Sequence, residues 1–219
     1  AYQMTQRRKS EDWWPLLVWV AAYSGVRLGE LIALRASDVE LQKRLIRVER
    51  QYNDASTEAK ITLPKFGKKR TTVYPKKTPS SHRYPQGFDL AGALRKRVRK
   101  VRRQDPNGLL FPAPQGAMWR LTNFYRNRFH PAAKTAEWPT HIWHRPATDK
   151  QTGEATYVPT QRLDWPWHSL QHVFCTHYLW ELGASPADVS QAAGHESVDI
   201  TLRIYSSRAP DALNRLSSL

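Results

Sequence analysis

Three histidines, one tyrosine and two distant basic positions are the residues of this chain best suited to chemistry. His168 and His172 stand four apart in His168-Ser169-Leu170-Gln171-His172, His195 follows Gly194, and Tyr205 comes ten residues later. Far upstream, Arg27 lies in Ser24-Gly25-Val26-Arg27-Leu28-Gly29-Glu30, and Lys65 precedes Phe66-Gly67-Lys68-Lys69-Arg70. Splitting a phosphodiester without a metal needs a nucleophile, a proton acceptor and donor, and positive charge around the phosphoryl oxygens. The charge contribution tends to be the largest. A tyrosine hydroxyl ionises near pH 10, so it attacks only when a neighbour takes its proton and cations assist. Cations and histidines gathered round one tyrosine would meet that need, and the fold must do the gathering.

The elements that would position them are mostly helices. Ser10-Glu11-Asp12 opens an apolar helix through Trp14, Leu17, Val18 and Ala21, closed by Gly25, with Pro15 tolerated in its first turn. A second helix runs from about Leu28 to Arg35, and Ser37-Asp38 reads as a turn or cap. Strands are expected at Leu45 to Val48, Lys60 to Leu63 and Thr71 to Tyr74, the last two joined by a turn at Phe66-Gly67-Lys68-Lys69. Pro75 to Gln86 reads as a loop. Asp89 then caps a helix whose Leu90, Leu94, Val98 and Val101 fall at helical spacing. Asp105-Pro106-Asn107-Gly108 is a turn, and a further helix spans Thr122 to Ala133 with Phe124, Tyr125 and Phe129 inward.

Residues 137–167 hold four prolines and the tryptophans Trp138, Trp143, Trp165 and Trp167, which suggests an ordered but irregular excursion pinned by aromatics. Lys150-Gln151-Thr152-Gly153-Glu154 is able to turn a hairpin within it. The remainder is helical: His168 to Leu182, Pro186 to Ala193 behind a Ser185 cap, a short turn around Ile200 to Tyr205, and a tail from Pro210. The fold class is mainly α with a small antiparallel β-sheet (α+β).

Charge points to a partner. Lys and Arg number 34 against 19 Asp and Glu, a net charge of +15, which predicts attraction to polyanions, nucleic acid first and an anionic membrane second. Between Lys65 and Arg103 stand fourteen Lys or Arg and one acid, Asp89. The stretch after Asp89 carries no acid for i,i+4 pairing, so Arg95, Arg99 and Arg102 join Lys68, Lys69 and Arg70 as expected phosphate contacts. No run approaches the roughly 18 apolar residues of a spanning helix, and the first ten residues hold no apolar signal core. The single Cys175 excludes an internal disulfide, fits a reducing compartment and reads as a packed core thiol.

The box Tyr23-Ser24-Gly25-Val26-Arg27-Leu28-Gly29-Glu30-Leu31-Ile32-Ala33-Leu34-Arg35 resembles the T-G-x-R-x-x-E-x-x-x-L stretch of tyrosine recombinases, the phage integrase family. Lys65 with Arg70 and Pro75 is similar to that family's β-hairpin lysine, with Lys68 and Lys69 as rivals. His168 opens an H-x-x-R-H box, Gly194-His195 matches its L-G-H motif save for Ala193, and Tyr205 stands where its nucleophile belongs.

The resemblance covers about Trp13 to Arg208 and implies a C-terminal catalytic domain at residues 13–219, with 1–12 a linker or tail of a missing N-terminal domain. It implies that Arg27 clamps the phosphate, Glu30 supports the site, Lys65 protonates the leaving 5′ oxygen, and His168 moves protons near His195. Tyr205 would form a 3′-phosphotyrosyl link, with no cofactor and no metal. The implied partner is a double-stranded DNA recombination site bound by a homo-tetramer, in the cytoplasm at the nucleoid, and the tail with Leu213 and Leu216 could pack on a neighbour.

One position departs from the pattern. Gln171 stands where the family has its second arginine, and a neutral amide replaces a fixed charge on a rigid fork. The expected loss is about 10²–10³ in rate by analogy with an oxyanion donor, or about 10³–10⁵ by analogy with an arginine finger. Either the copy is an inactive DNA-binding form, engineered or natural, or another cation such as Arg203 or Arg208 stands in. The alternative function is therefore a non-catalytic DNA-binding protein on the same fold; a type IB topoisomerase shares the chemistry but fits the box spacings less well. A zinc site at His168 and His172, with His141, His144 and His177 near in sequence, is disfavoured by the lack of H-E-x-x-H and of a carboxylate before Glu181 in that helix.

Overall fold

The computed structural model describes residues 13–54, 60–81, 84–149 and 152–205. The helix opening expected at Ser10-Glu11-Asp12, Arg208 and the tail from Pro210 lie outside them.

Helix α1, Trp14–Ser24, is the centre of the core, because apolar residues occupy all its faces rather than one stripe. Leu16, Leu17, Val18, Val20, Ala21 and Ala22 are all buried. Pro15 falls in its first turn, and Gly25 ends it in the left-handed region at φ 66°. Helix α2, Leu28–Ile32, stops a turn earlier than expected. Tertiary pairing takes over: Arg35 bridges to Leu109, Leu110 N–H donates to Leu34 O at 2.8 Å, and Ala36 N–H to Gly108 O at 3.0 Å. In the tight turn that follows, the Asp38 carboxylate accepts from Arg35 N–H at 2.8 Å and Arg50 Nη1 at 2.6 Å.

The three expected strand segments are present, two further short strands join them, and the pairing differs from the expectation. Strands β1 (Val39–Glu40), β2 (Leu45–Val48) and β5 (Arg70–Val73) form one antiparallel sheet in that order. Strand β4 (Lys60–Thr62) pairs with β3 (Gln51–Asn53), not with β5 across the Lys65 turn. Two anchors explain the difference. Thr72 is buried in β5 and its hydroxyl donates to Ser24 O at 2.7 Å, fixing β5 against the end of α1. Tyr52 O lies so close to Gly29 that a Cβ there would stand 2.6 Å away, which fixes β3 under α2. The Lys65 segment thus crosses between two sheets through a turn at Lys65–Gly67, with Phe66 at φ 63° and Gly67 at φ 68°.

Helix α3, Leu90–Gln104, follows the expected pattern. Asp89 accepts from Gly92 N–H at 3.0 Å, and Leu90, Leu94, Val98 and Val101 are buried. Arg95, Lys96, Arg99 and Arg103 stand on the exposed side. Arg102 is exposed as well, and its Nη2 donates to Ala36 O and Val39 O, both at 2.9 Å, tying α3 to the turn beneath it.

Next come α4 (Leu121–Phe124), a wider turn at Tyr125–Phe129 and α5 (His130–Thr135), which bury Phe124 and Phe129 and half-bury Tyr125. The expected irregular excursion is instead a regular hairpin. Strands β6 (Thr140–Thr148) and β7 (Ala155–Leu163) pair antiparallel over nine positions each, from Thr140↔Leu163 to Thr148↔Ala155. Trp138 and Trp167 pack at its base, while Trp143 lies under the Arg162 guanidinium at 3.8 Å from the ring centre. Ile142, Tyr157 and Val158 are exposed along it. Because the ribbon gives the core only its base, replacing residues 142–161 by a short glycine-rich turn should shift the Tm of the remainder by no more than about 4 °C. A larger fall in a thermal melt would show that the ribbon supports the core.

The chain ends in α6 (Ser169–Thr176), a wider turn at His177–Glu181, α7 (Pro186–Ala193) and α8 (Val198–Tyr205). Ser185 caps α7 by accepting Asp188 N–H at 3.1 Å, and Gly194 ends it at φ 70°. Helix α6 packs on α1 so closely that a Cβ on Gly25 would meet the Phe174 ring at 2.7 Å. No described helix is long and apolar enough to cross a membrane.

Candidate active site

Two left-handed glycines, Gly25 and Gly194, bring the separated boxes together. Each ends a helix with carbonyls that have no partner inside that helix, and side chains from other elements supply the donors. Gln171 Nε2 donates to Ala193 O at 2.7 Å and Gly25 O at 3.3 Å. Arg70 Nε donates to Ala192 O at 2.8 Å, and Arg27 Nη2 to Gly194 O at 2.5 Å. One residue from each of α6, β5 and the α1–α2 turn therefore holds the end of α7, the residues just before His195.

Glu30 organises the other side. Its carboxylate accepts Arg27 N–H at 2.8 Å, capping α2, and stands 3.4 Å from Arg27 Nη1. It also takes both Nη groups of Arg70 at 2.7 Å. Glu30 and Arg70 are 1% and 4% exposed, whereas Arg27 is 19% exposed. The expectation that Arg70 contacts phosphate is corrected: it is an internal ion-pair residue. Arg27 is the arginine of this cluster that reaches solvent.

The histidines share the field of these cations. Partial burial lowers the His168 imidazole from its ordinary value, and the Arg27 and Lys65 charges lower it further, although the residue as a whole is exposed. His195 is pushed down to about 4, first by burial, then by Arg27, His168, His172 and Arg70. Its Nδ1 lies 2.7 Å from the hydroxyl of buried Thr201, one turn into α8. His172 packs edge-on against His168 at 5.2 Å. Lys65 is exposed on its turn, its Nζ 5.0 Å from the Phe66 ring centre, and Lys68 Nζ donates to Glu196 O at 3.3 Å, tying that turn beside His195.

Arg27, Lys65, His168, His172 and His195 therefore form one electrostatic neighbourhood. Gln171 belongs to it but is buried, with its amide turned to backbone; Oε1 finds no donor among the described residues. Tyr205 is the last residue of α8, on the helix that Thr201 ties to His195; its side chain lies outside what is described. Arg95 and Arg99 are exposed on α3, and Lys69 is exposed beside Lys68. Among the described residues, no three His, Cys, Asp or Glu are grouped to hold a metal ion. Sequence reasoning missed Thr201 and the inward turn of Arg70. Their signals were slight: a threonine six residues after His195, and an arginine at the start of a strand facing a glutamate forty positions away.

A pH prediction arises from the two depressed histidines. The unfolded chain takes up protons near pH 6.5, while folded His195 does so only near 4, so the unfolded state binds more protons between those values. Stability should be full above about pH 6.5 and fall as pH drops towards 4, with His168 adding in the same direction. Thermal melts from pH 8 to 4 test this. His195→Gln should flatten the profile, and an unchanged slope would remove His195 as a cause.

Comparison with known proteins places these features. The model of the phage integrase family matches residues 2–211. No curated protein sequence matches the chain. Among solved structures it is similar to the Tn1549 transposon integrase in complex with a circular intermediate DNA, with 17% identity and a TM-score of 0.65, over 100% of this chain and 63% of that one. It also resembles XerA recombinase, with 22% identity and a TM-score of 0.55, over 95% of this chain and 62% of that one. The catalytic domain of bacteriophage HP1 integrase matches with 16% identity and a TM-score of 0.52, over 100% of this chain and 87% of that domain. At these identities the likeness concerns the fold, which is that of tyrosine recombinase catalytic domains.

Proposed function

The chain belongs to the phage integrase family, and from that premise we propose that it breaks and rejoins DNA at a specific site through Tyr205. The reading rests most on one observation, the convergence of Arg27, Lys65, His168 and His195 on one neighbourhood next to the helix that ends in Tyr205. The Tyr205 hydroxyl gives its proton to a neutral imidazole, His168 being the nearest in role. The phenolate oxygen bonds to phosphorus as the bond to the 5′ oxygen breaks, and the Lys65 ammonium protonates that oxygen. Arg27 holds a non-bridging oxygen. The depressed ionisation keeps the His195 ring neutral at pH 7, and in the tautomer whose Nδ1 accepts the Thr201 hydroxyl, Nε2 carries a proton to donate to the phosphate. Attack by a second 5′ hydroxyl reverses the sequence and joins the strands, so no nucleotide hydrolysis is needed.

Gln171 qualifies the rate. Its amide is engaged with two backbone carbonyls and carries no charge, so this copy is read as impaired by about 10²–10³ relative to one with arginine there. The same observation favours a second reading, a DNA-binding protein that no longer cuts. Residues 13–219 are read as the recombinase-fold domain in either case. The working unit is read as a homo-tetramer on the recombination site, and the place of action as the nucleoid in the cytoplasm. Lys68, Lys69, Arg95, Arg99 and Arg102 are the exposed cations assigned to the phosphate backbone.

A nicked suicide duplex separates the readings. A covalent protein–DNA band that survives denaturant supports cleavage. A shift on a native gel with no covalent band, even at long times and with Gln171→Arg, supports binding alone.

A further inference from the structure

Two arginines and one glutamate meet at the base of the site, and they are not equivalent. Arg70 closes a two-pronged ion pair on Glu30, both contacts at 2.7 Å, and spends its Nε on Ala192 O at 2.8 Å. Its remaining reach is to Gly25 O at 3.5 Å. With only 4% of its side chain exposed, it has no direction in which to meet a ligand. The Arg27 guanidinium meets the same carboxylate only at 3.4 Å, through Nη1, and its side chain remains 19% exposed. The trio carries one net positive charge. Because Arg70 saturates Glu30 from inside, that surplus stands at Arg27.

Gly194 is shaped to this arrangement. A Cβ there would lie 2.8 Å from Arg70 Cζ and 2.9 Å from its Nε and Nη1, at a φ of +70°. The guanidinium plane lies against the glycine's α-carbon, one residue before His195. Only glycine admits both the left-handed turn and the flat cation beneath it.

We propose that Arg70 is a positioning residue whose charge offsets Glu30, leaving Arg27 as the uncompensated cation that faces the phosphate, and that Gly194 is glycine in order to admit it. The inference deepens the proposed function, since it rests on Arg27 as the clamp. Without Arg70, Glu30 closes on Arg27, and the nearest positive charge to the phosphate is cancelled by a buried carboxylate. Lysine is a poor substitute, because one ammonium cannot span both carboxylate oxygens and Ala192 O together.

The test separates charge from scaffolding. Arg70→Gln removes the offset; Arg70→Gln with Glu30→Gln removes the offset and the anion together, restoring one net positive charge. The readout that does not depend on DNA is the titration of His195, followed by proton NMR in folded protein. His195 is flanked by Arg27, Arg70, His168, His172 and the Thr201 hydroxyl. Arg70→Gln should move its titration up by about half a unit or more, and the double variant should bring it back. An unmoved His195 in folded Arg70→Gln overturns the inference. Should Arg70→Gln not fold, the double variant decides, since it buries no unpaired charge. Its His195 must titrate with the wild type, and one that climbs there overturns the inference. Covalent trapping is the separate arm: Arg70→Gln should lower the trapped product by about tenfold or more, and the double variant should recover most of it. A purely structural Arg70 predicts the double variant to be the worse of the two. A chain that traps no DNA yet shows the His195 shift would sink the proposed function and leave the charge offset standing.

Discussion

Tyr205→Phe is expected to abolish covalent capture of a suicide DNA substrate, by about 10⁴-fold or more, while leaving the native-gel shift within about twofold. The change removes one hydroxyl and keeps the ring, and the tie of α8 through Thr201 to His195 does not involve the substituted group. The cations proposed to meet the duplex, among them Arg27, Lys65, Lys68 and Lys69, are untouched. Loss of the covalent band with retained binding therefore assigns the nucleophile. A covalent band of undiminished intensity in the phenylalanine variant would show that another group attacks and that Tyr205 has no chemical part. The comparison is best made with Gln171→Arg present as well, where the starting signal is larger.

Gln171→Arg is the second expected result: cleavage should rise by about 10²-fold, and by at least tenfold. The surroundings of residue 171 argue for this directly. The side chain faces two carbonyl oxygens, Gly25 O and Ala193 O, and is 4% exposed. An amide brings two donors and an acceptor, and the acceptor, Oε1, finds no donor among the described residues. A buried acceptor left unpaired costs about 1–3 kcal/mol. A guanidinium brings donors only, so it can keep both carbonyls and direct the remaining N–H groups, with a full charge, towards the neighbourhood of Arg27 and His195. Equal rates in a single-turnover cleavage assay would show that position 171 does not face the scissile phosphate.

Where local chemistry dictated structure, the sequence was legible. Asp89 with Leu90, Leu94, Val98 and Val101 gave α3 almost to the residue, because a cap and a buried stripe are both local facts. The Ser185 cap, the Gly25 and Gly194 stops and the boxes around Arg27 and His168 were readable for the same reason. Strand pairing was not. Three-residue strands such as β3 carry too little alternation to choose a partner, and the choice was made by Tyr52 O against Gly29 and by Thr72 on Ser24 O. The prolines at 146 and 159 hid the long hairpin, since proline ordinarily argues against a strand interior. Arg70 was misjudged because a basic run looks solvated in one dimension, and its partner Glu30 is distant in sequence.

The ribbon of β6 and β7 has a consequence for handling the protein. A two-stranded ribbon has two open edges, and Ile142, Tyr157 and Val158 give it the apolar character on which further strands of other molecules could add. Each strand carries a proline, Pro146 opposite Tyr157 and Pro159 opposite His144, and neither can donate a backbone proton to an incoming chain. These interruptions guard the ribbon against templating its own aggregation, so replacing both prolines should shorten the shelf life of concentrated stocks before it alters any reaction.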